Sequence, residues 1–333
     1  MKKDIENRKK SLITLYLVIP CYNEENVLPI TYGIFLNKLN QLISSKIVNK
    51  KSRVLFVNDG SNDNTMGIIK DLSFNNEYIE GISLSRNRGH QNALLAGMLE
   101  AKDLCDAVIT LDCDGQHDIN AIDEMLVQYK EGFDIVYGVR NNRTGDSTFK
   151  RFSSELYYKL INALGGEIIV NHADYRLVSS KVLKEFENFK EVNIFLRGMF
   201  PLVGFKSTII HYNQLDRQAG HSHYSLSKML TLAIDGITSL SIKPIRIITG
   251  FGFLVTLTSF IGIIYIIVAY FMKKAVQGLV SMTCVICFIS GIQLISLGVI
   301  GEYIGKIYME TKQRPRYIIS EKTYNCISSH NDY

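Results

Sequence analysis

Three carboxylates crowd one short stretch, VITLDCDGQHD at residues 108 to 118: Asp112, Asp114 and Asp118. They follow an apolar, strand-like run. Carboxylates this close repel one another, and a like-charge pair has a raised pKa unless something positive sits among them. Asp112 and Asp114 stand two apart, at a strand end where the chain begins to turn. Hard oxygen donors in that pattern suit Mg2+ or Mn2+, which in turn bridge to substrate phosphates. A lone D-x-D is common in exposed turns. Here three more polar clusters follow apolar runs: Tyr22-Asn23-Glu24, Asn58-Asp59-Gly60-Ser61, and Arg86 to Gln91.

The elements that must position these clusters repeat one pattern. Leu15 to Ile19 is an apolar strand, and Asn23 is the expected N-cap of the next helix, with Glu24 and Glu25 in its first turn. The second unit has a strand at 54 to 57 and a helix from about Ser61. YIEGISLSRNRGHQNALLAGMLEA makes a third unit and AVITLDCDGQHDINAIDEMLVQYKEG a fourth. DIVYGVR is a fifth strand. Short β-rich runs alternating with helical periods mean βαβ units and a mostly parallel sheet. Ligands of open sheets bind at the carboxyl ends of strands, and all four clusters lie there. Neither GxGxxG nor GxxxxGK[ST] occurs, so phosphate is not held by either common glycine loop.

The chain has 333 residues, 47% of them hydrophobic and 21% charged, which is room for about two domains. The hydropathy is uneven. Residues 247–272 and 275–300 carry no Asp, Glu, Lys, Arg or His. About 20 apolar residues cross a bilayer as a helix, so these runs predict two transmembrane helices; a pair of buried core helices is the plainer alternative. Only Lys273 and Lys274 separate them, which makes an antiparallel hairpin with both ends on one side. Lys243, Arg246, Lys306, Lys312, Arg314 and Arg316 flank those ends. The positive-inside rule puts that side, and the large N-terminal part, in the cytoplasm. The opening MKKDIENRKK imitates a signal peptide, but Pro20 stands where a cleavage site needs a small residue, so it reads as a basic leader before a first strand. Residues 224 to 242 place Leu226, Met229, Leu230, Ala233, Ile234, Ile237 and Leu240 at spacings of three and four. That predicts an amphipathic helix in the membrane interface, or one packed on the preceding domain. The six cysteines suggest no disulfide framework. A net charge of +5 suits an anionic membrane surface or phosphate ligands and is too diffuse to indicate nucleic acid.

VIPCYNEE, VLFVNDGSNDNT, SLSRNRGHQNALLAG and ITLDCDGQHD resemble the successive signatures of family 2 glycosyltransferases of the GT-A fold. The resemblance is collinear from about residue 15 onward. With GVIGEYIGKIYMETKQRPRYII after two apolar runs, it points to the polyprenyl-phosphate subgroup, similar to bactoprenol glucosyltransferases and dolichol-phosphate mannose synthases. It implies a GT-A Rossmann-like, mostly parallel sheet over residues 1–223, an interfacial helix over 224–244, a transmembrane hairpin within 245–302 and a cytoplasmic tail over 303–333. It further implies that Pro20, Tyr22 and Glu24 line the nucleoside pocket and that Asp59 contacts the base. Asn87 and Gly89 would lie near the ribose and diphosphate. Asp112 and Asp114 would meet the metal, Mg2+ or Mn2+, and the diphosphate, with Gln116 close by. HADYRLVSS would place Asp174 and Arg176 at the sugar and acceptor, and RQAGHSHYSLSKM would place Arg217, Ser222 and Tyr224 at the acceptor phosphate. His90 and His223 stand where relatives often carry Lys, which exchanges a fixed charge for one that titrates near neutrality.

The implied reaction transfers a hexose, with UDP-glucose the first choice of donor, to undecaprenyl phosphate at the inner membrane, with inversion. UDP-N-acetylglucosamine, UDP-galactose and 4-deoxy-4-formamido-arabinose donors stay open. The acceptor phosphate is largely ionised at neutral pH, with a second pKa near 6 by analogy with other phosphate esters. A general base is therefore less needed, and Asp174 is expected mainly to orient Arg176 or the sugar. Arg176, Arg217 and Arg140 suit phosphate by guanidinium geometry; a solvated surface charge is the bland reading of each. The resemblance also implies membrane lipid, a homo-tetramer and a lipid-linked-sugar flippase as partners. Processive polysaccharide synthases need a Q-x-x-R-W motif, and the chain has no Trp. A non-catalytic nucleotide-sugar-binding membrane protein would be expected to lose Asp112, Asp114 or Asp174.

Overall fold

A computed structural model describes residues 8–9, 11–141, 172–192, 194–215, 243–272 and 279–324. The first unit is built on eight strands: β1 (Leu15–Cys21), β2 (Arg53–Asn58), β3 (Ile79–Leu84), β4 (Ala107–Thr110), β5 (Ile135–Arg140), β6 (His172–Ser179), β7 (Ser207–Tyr212) and β8 (Ile319–Lys322). Their order is β7-β5-β6-β4-β1-β2-β3-β8. β1 pairs in parallel with β2 and β4, β2 with β3, and β5 with β7. β6 runs antiparallel to β4 and β5, and β8 antiparallel to β3. The expected mostly parallel α/β sheet is therefore present.

Both faces of the sheet are covered, which is why its strands read as unbroken apolar runs. Along β1, Leu15, Leu17 and Ile19 join one core with Phe56, Phe35, Leu39 and Met125. This face is covered by α1 (Leu28–Ser44), α2 (Thr65–Asn75) and α4 (Ala121–Lys130). Tyr16 and Val18 point the other way, toward Leu94, Met98, Leu183 and Phe200. Those belong to α3 (His90–Ala101), α5 (Ser180–Phe186) and α6 (Leu196–Leu202). The strand-like reading of the N-terminus holds, since all seven residues of β1 are buried.

Two helix starts differ from expectation. Asn23 does not cap α1: it takes a left-handed φ of 54°, and the helix begins at Leu28 with Pro29 in its first turn. Asn tolerates that conformation, and Pro suits a first turn. α2 begins at Thr65 rather than near Ser61. In both places the side chains that looked like caps are used to join loops.

The second compact unit holds α7 (Lys243–Phe271) and α8 (Leu279–Thr311). Phe251, Phe253, Leu257, Phe260 and Ile264 on α7, and Phe288, Leu294, Ile295 and Leu297 on α8, are exposed apolar side chains. Among the described residues, Phe288–Thr311 is long and apolar enough to cross a membrane. α8 runs past the uncharged stretch through Glu302, Lys306 and Glu310. The expected interfacial helix and the junction of the two apolar helices lie outside the described residues.

The tail turns back to the first unit. From Arg314 the chain belongs again to the first unit. β8 extends the sheet beside β3, and the Thr323 N–H donates to the Gly81 carbonyl at 2.9 Å. Thr323 Oγ1 accepts from the Gly81 N–H at 2.9 Å and bonds Ser73 Oγ at 2.8 Å. Lys322 and Tyr324 both reach Glu100 on α3.

Candidate active site

The loops at the carboxyl ends of the strands are tied into one rim. The loop after β1 meets the loop after β2 through a set of side-chain-to-backbone bonds. The Asn23 N–H donates to Ser61 Oγ and the Asn62 N–H to Asn23 Oδ1, while the Glu24 N–H donates to Thr65 Oγ1 and the Asn64 N–H to Glu25 Oε2. Asp59 ties this pair to the loop after β3: its Oδ1 accepts from the Arg88 N–H at 2.7 Å and its Oδ2 from the Gly89 N–H at 2.9 Å. Gly60 lets the two loops touch. It has φ 62°, and a Cβ there would lie 2.4 Å from the Arg86 backbone carbon.

Tyr22 is open to solvent, and Glu24 is half-buried. Pro20 and Asp59 are both buried. Pro20 is buried within β1, just beyond Val18↔Thr110, where the pairing of β1 with β4 ends and a missing N–H costs no ladder bond. Asp59 is buried with both oxygens on loop backbone, so it holds the loop. Burial raises its pKa, against the lowering by those backbone donors. Asn87 Oδ1 also accepts from Gly89, whose φ of 86° turns the chain into α3.

Beyond β4, burial keeps alternating. Leu111, Cys113, Gly115 and His117 are buried, while Asp112, Asp114, Gln116 and Asp118 face outward. Asp118 leaves the cluster, since its Oδ1 accepts from the Asn120 N–H at the start of α4. Asp114 Oδ1 accepts from the Gln116 N–H at 3.1 Å, and Gln116 Oε1 from Gln214 Nε2 at 3.1 Å.

The positive partner that the carboxylates require is mainly His90, at the first position of α3. Its Nε2 lies 3.6 Å from Asp112 Oδ1 and 3.6 Å from Asp174 Oδ2. Burial works against its charged form, but the two carboxylates outweigh burial and raise its pKa. The exchange of a fixed lysine charge for a histidine is thereby partly offset. His117 behaves oppositely: burial lowers its pKa despite Asp112, and its Nδ1 accepts from the Asp112 N–H at 3.2 Å. It stacks on Tyr175 at 4.7 Å between ring centres and meets Tyr212 edge-on. Arg140 Nε donates to Tyr212 Oη at 3.2 Å, which places that arginine at the same rim.

Asp174 sits on β6, 5% exposed, with four donor side chains around it. Arg176 Nη2 donates at 2.5 Å, Arg197 Nη2 at 3.0 Å and Gln91 Nε2 at 3.3 Å, and His90 stands beside them. Burial would raise the Asp174 pKa, yet Arg197, His90 and Arg176 hold it well below the usual carboxylate range. Arg176 is 1% exposed, with its guanidinium on Asp174 and 5.0 Å from the Phe200 ring centre, so its charge is held on the interior side of that carboxylate. Nothing in the sequence marks Arg197 or His117, and Gln91 stands there only as the end of the 86–91 cluster. Arg197 comes from α6, and no spacing in NIFLRGMF marks it. Arg217, Ser222 and Tyr224 lie outside the described residues.

No group of three or more His, Cys, Asp or Glu side chains among the described residues is arranged to hold a metal. Asp112 and Asp114 offer the hard carboxylate oxygens that such an ion takes. Mg2+ and Mn2+ sites of this kind use one or two carboxylates and fill the remaining positions with water and substrate phosphate.

The sheet thus carries a polar rim at its strand ends, with a carboxylate pair after β4. Residues 16–186 match Glycosyl transferase family 2, and residues 243–307 match the GtrB C-terminal hairpin. The chain is 42% identical to the glycosyltransferase YkoT of Bacillus subtilis (strain 168), over 95% of this chain and 94% of that protein. It is 37% identical to the bactoprenol glucosyl transferase of Shigella phage SfX, over 92% of this chain and 98% of that protein. Among solved structures, glucosyl-3-phosphoglycerate synthase from Mycobacterium tuberculosis with Mn2+ and UDP-glucose aligns with a TM-score of 0.47 and 15% identity, covering 72% of this chain and 82% of that one. The chain belongs to glycosyl transferase family 2. Its C-terminal part, with a GtrB hairpin match and outward-facing apolar helices, is the membrane-associated part.

Proposed function

We propose that this chain transfers glucose from UDP-glucose to undecaprenyl (polyprenyl) phosphate with inversion, making a lipid-linked monosaccharide. The carrying observation is the rim at Asp112, Asp114 and Asp174, joined in one chain to a hairpin of the kind named for GtrB. The name of the phage relative supports glucose and a bactoprenol acceptor.

In this reading an oxygen of the lipid monophosphate attacks the anomeric carbon, and the bond to the departing UDP oxygen breaks. Asp112 and Asp114 would hold a divalent ion, which supplies charge neutralisation to the diphosphate. Tyr22, Glu24, Asn87 and Gly89 would receive the nucleoside and ribose, with Gln116 near the diphosphate. Arg140, Arg217, Ser222 and Tyr224 would receive the acceptor phosphate. Asp174 would orient its arginines and the sugar. It is a poor proton acceptor because its pKa is depressed, and an ionised phosphate needs none.

The course of the chain supports an even number of membrane crossings. β7 and β8 belong to one sheet, and α7 and α8 lie between them in sequence. The segment must therefore leave and return on one side, as a hairpin does. Together with the flanking lysines and arginines, this favours a catalytic unit and tail on the cytoplasmic side of a bacterial inner membrane. The tetramer and flippase rest on the family resemblance alone.

The test incubates membranes containing the chain with undecaprenyl phosphate and a panel of nucleotide sugars, with Mn2+, Mg2+ or EDTA. UDP-glucose is expected to give a lipid-linked hexose. EDTA or Asp114→Ala is expected to lower the rate by roughly two orders of magnitude or more, the several kcal/mol that a bound cation supplies. Full turnover in EDTA and in the variant would remove the metal from the reaction. Transfer from another donor alone would replace glucose.

A further inference from the structure

Resting on the reading above, and deepening it, we infer that Arg197 exchanges the Asp174 carboxylate for a phosphate oxygen of a substrate. In this chain the guanidinium is parked on Asp174, with Nη2 at 3.0 Å from Oδ2 and Nε at 3.3 Å from Oδ1. The two N–H groups form a side-on fork, the geometry in which a guanidinium also takes phosphate.

Three observations separate Arg197 from a simple brace. First, Asp174 already has a guanidinium: Arg176 meets Oδ1 from the interior. One carboxylate needs one neutralising charge, and Arg197 is a second. Second, 34% of the Arg197 side chain is open to solvent, against 1% for Arg176 and 6% for Asp174. Arg176 could not reach a ligand without unpacking from Phe200, whereas Arg197 already stands at the open side. Third, its position is built. The Leu196 N–H, one residue earlier, donates to Gln91 Oε1, and the Nε2 of the same amide donates to Asp174. This clamp fixes the start of α6 against α3, beside His90 and Asp112.

The exchange is balanced. When Arg197 leaves, Arg176, Gln91 and His90 still face Asp174, so no buried carboxylate is stranded. The incoming phosphate oxygen is charged, as the carboxylate was. Such an oxygen could come from the donor diphosphate or from the lipid monophosphate; the chemistry is shared and the measurements separate the two.

The test uses the full-length chain in bilayer discs, with Arg197→Gln and Arg197→Lys. UDP binding is measured calorimetrically with Mn2+, and transfer is measured against polyprenyl phosphate concentration. Loss of a charge-assisted hydrogen bond predicts a weakening of roughly 10- to 100-fold in Arg197→Gln, with partial recovery in Arg197→Lys. A raised KM for the lipid with unchanged UDP affinity assigns the acceptor; weakened UDP binding assigns the donor. If both constants stay within about twofold of the parent's, the inference is overturned, whatever happens to kcat, because only a brace on Asp174 would then be left. Should Arg197→Gln fail to fold, Arg197→Lys is read by the same two constants. If the parent chain binds UDP yet glycosylates no polyprenyl phosphate, the proposed function fails, and the UDP arm alone decides Arg197.

Discussion

Asp174 shows how one residue can matter to both stability and chemistry. It is a buried carboxylate held ionised by Arg197, His90 and Arg176. Its folded pKa lies below the unfolded value of about 3.9. The stability it contributes is thus fully present above that value and is lost as pH falls through the depressed one. Asp174→Asn would leave Arg176 inside the protein without a counter-charge, a loss of about 3–5 kcal/mol. Thermal unfolding should show a clearly lower midpoint for this variant at pH 7. The gap from the parent should narrow as pH drops below about 4. Equal midpoints at pH 7 would mean that Arg176 finds another partner. The neighbouring histidines diverge: both are desolvated, but His90 is in direct contact with Asp112 and Asp174, whereas for His117 burial and Arg140 outweigh the carboxylates.

Among the elements, β8 is the least expected and the most testable. It covers the β3 edge, which would otherwise present unpaired backbone groups. Thr323, one residue past the strand, carries the lock: its hydroxyl meets the Gly81 N–H and Ser73 Oγ while its own N–H meets the Gly81 carbonyl. Thr323→Val keeps the shape and the backbone bond but strands two polar groups. Its cost should be about 1–3 kcal/mol. Hydrogen exchange should localise the loss to β3 and β8. Unchanged protection at Gly81 would show that the strand holds without the hydroxyl.

For the whole molecule, the sheet ties the chain on both sides of the apolar helices into one unit. That constraint makes a topology prediction stronger than hydropathy alone allows. Reporters fused before Met1 and after Tyr333 should both report the cytoplasm. Opposite compartments for the two would be incompatible with β8 lying beside β3.

Periodicity and composition alone determined much. Apolar runs buried on both faces marked the parallel strands, and polar clusters at their ends marked the rim, because both signals are local along the chain. The uncharged runs were legible for the same reason: a bilayer selects on continuous length. The tertiary structure decided what depends on residues far apart in sequence. It turned Asn23 from a cap into a joint between loops and assigned Asp59 to the 88–89 backbone. It buried Arg176 while bringing Arg197 to the opening, and returned the tail to the sheet. Each of these outcomes is a contest for partners among charges and backbone groups. Only the folded chain shows which partners are within reach.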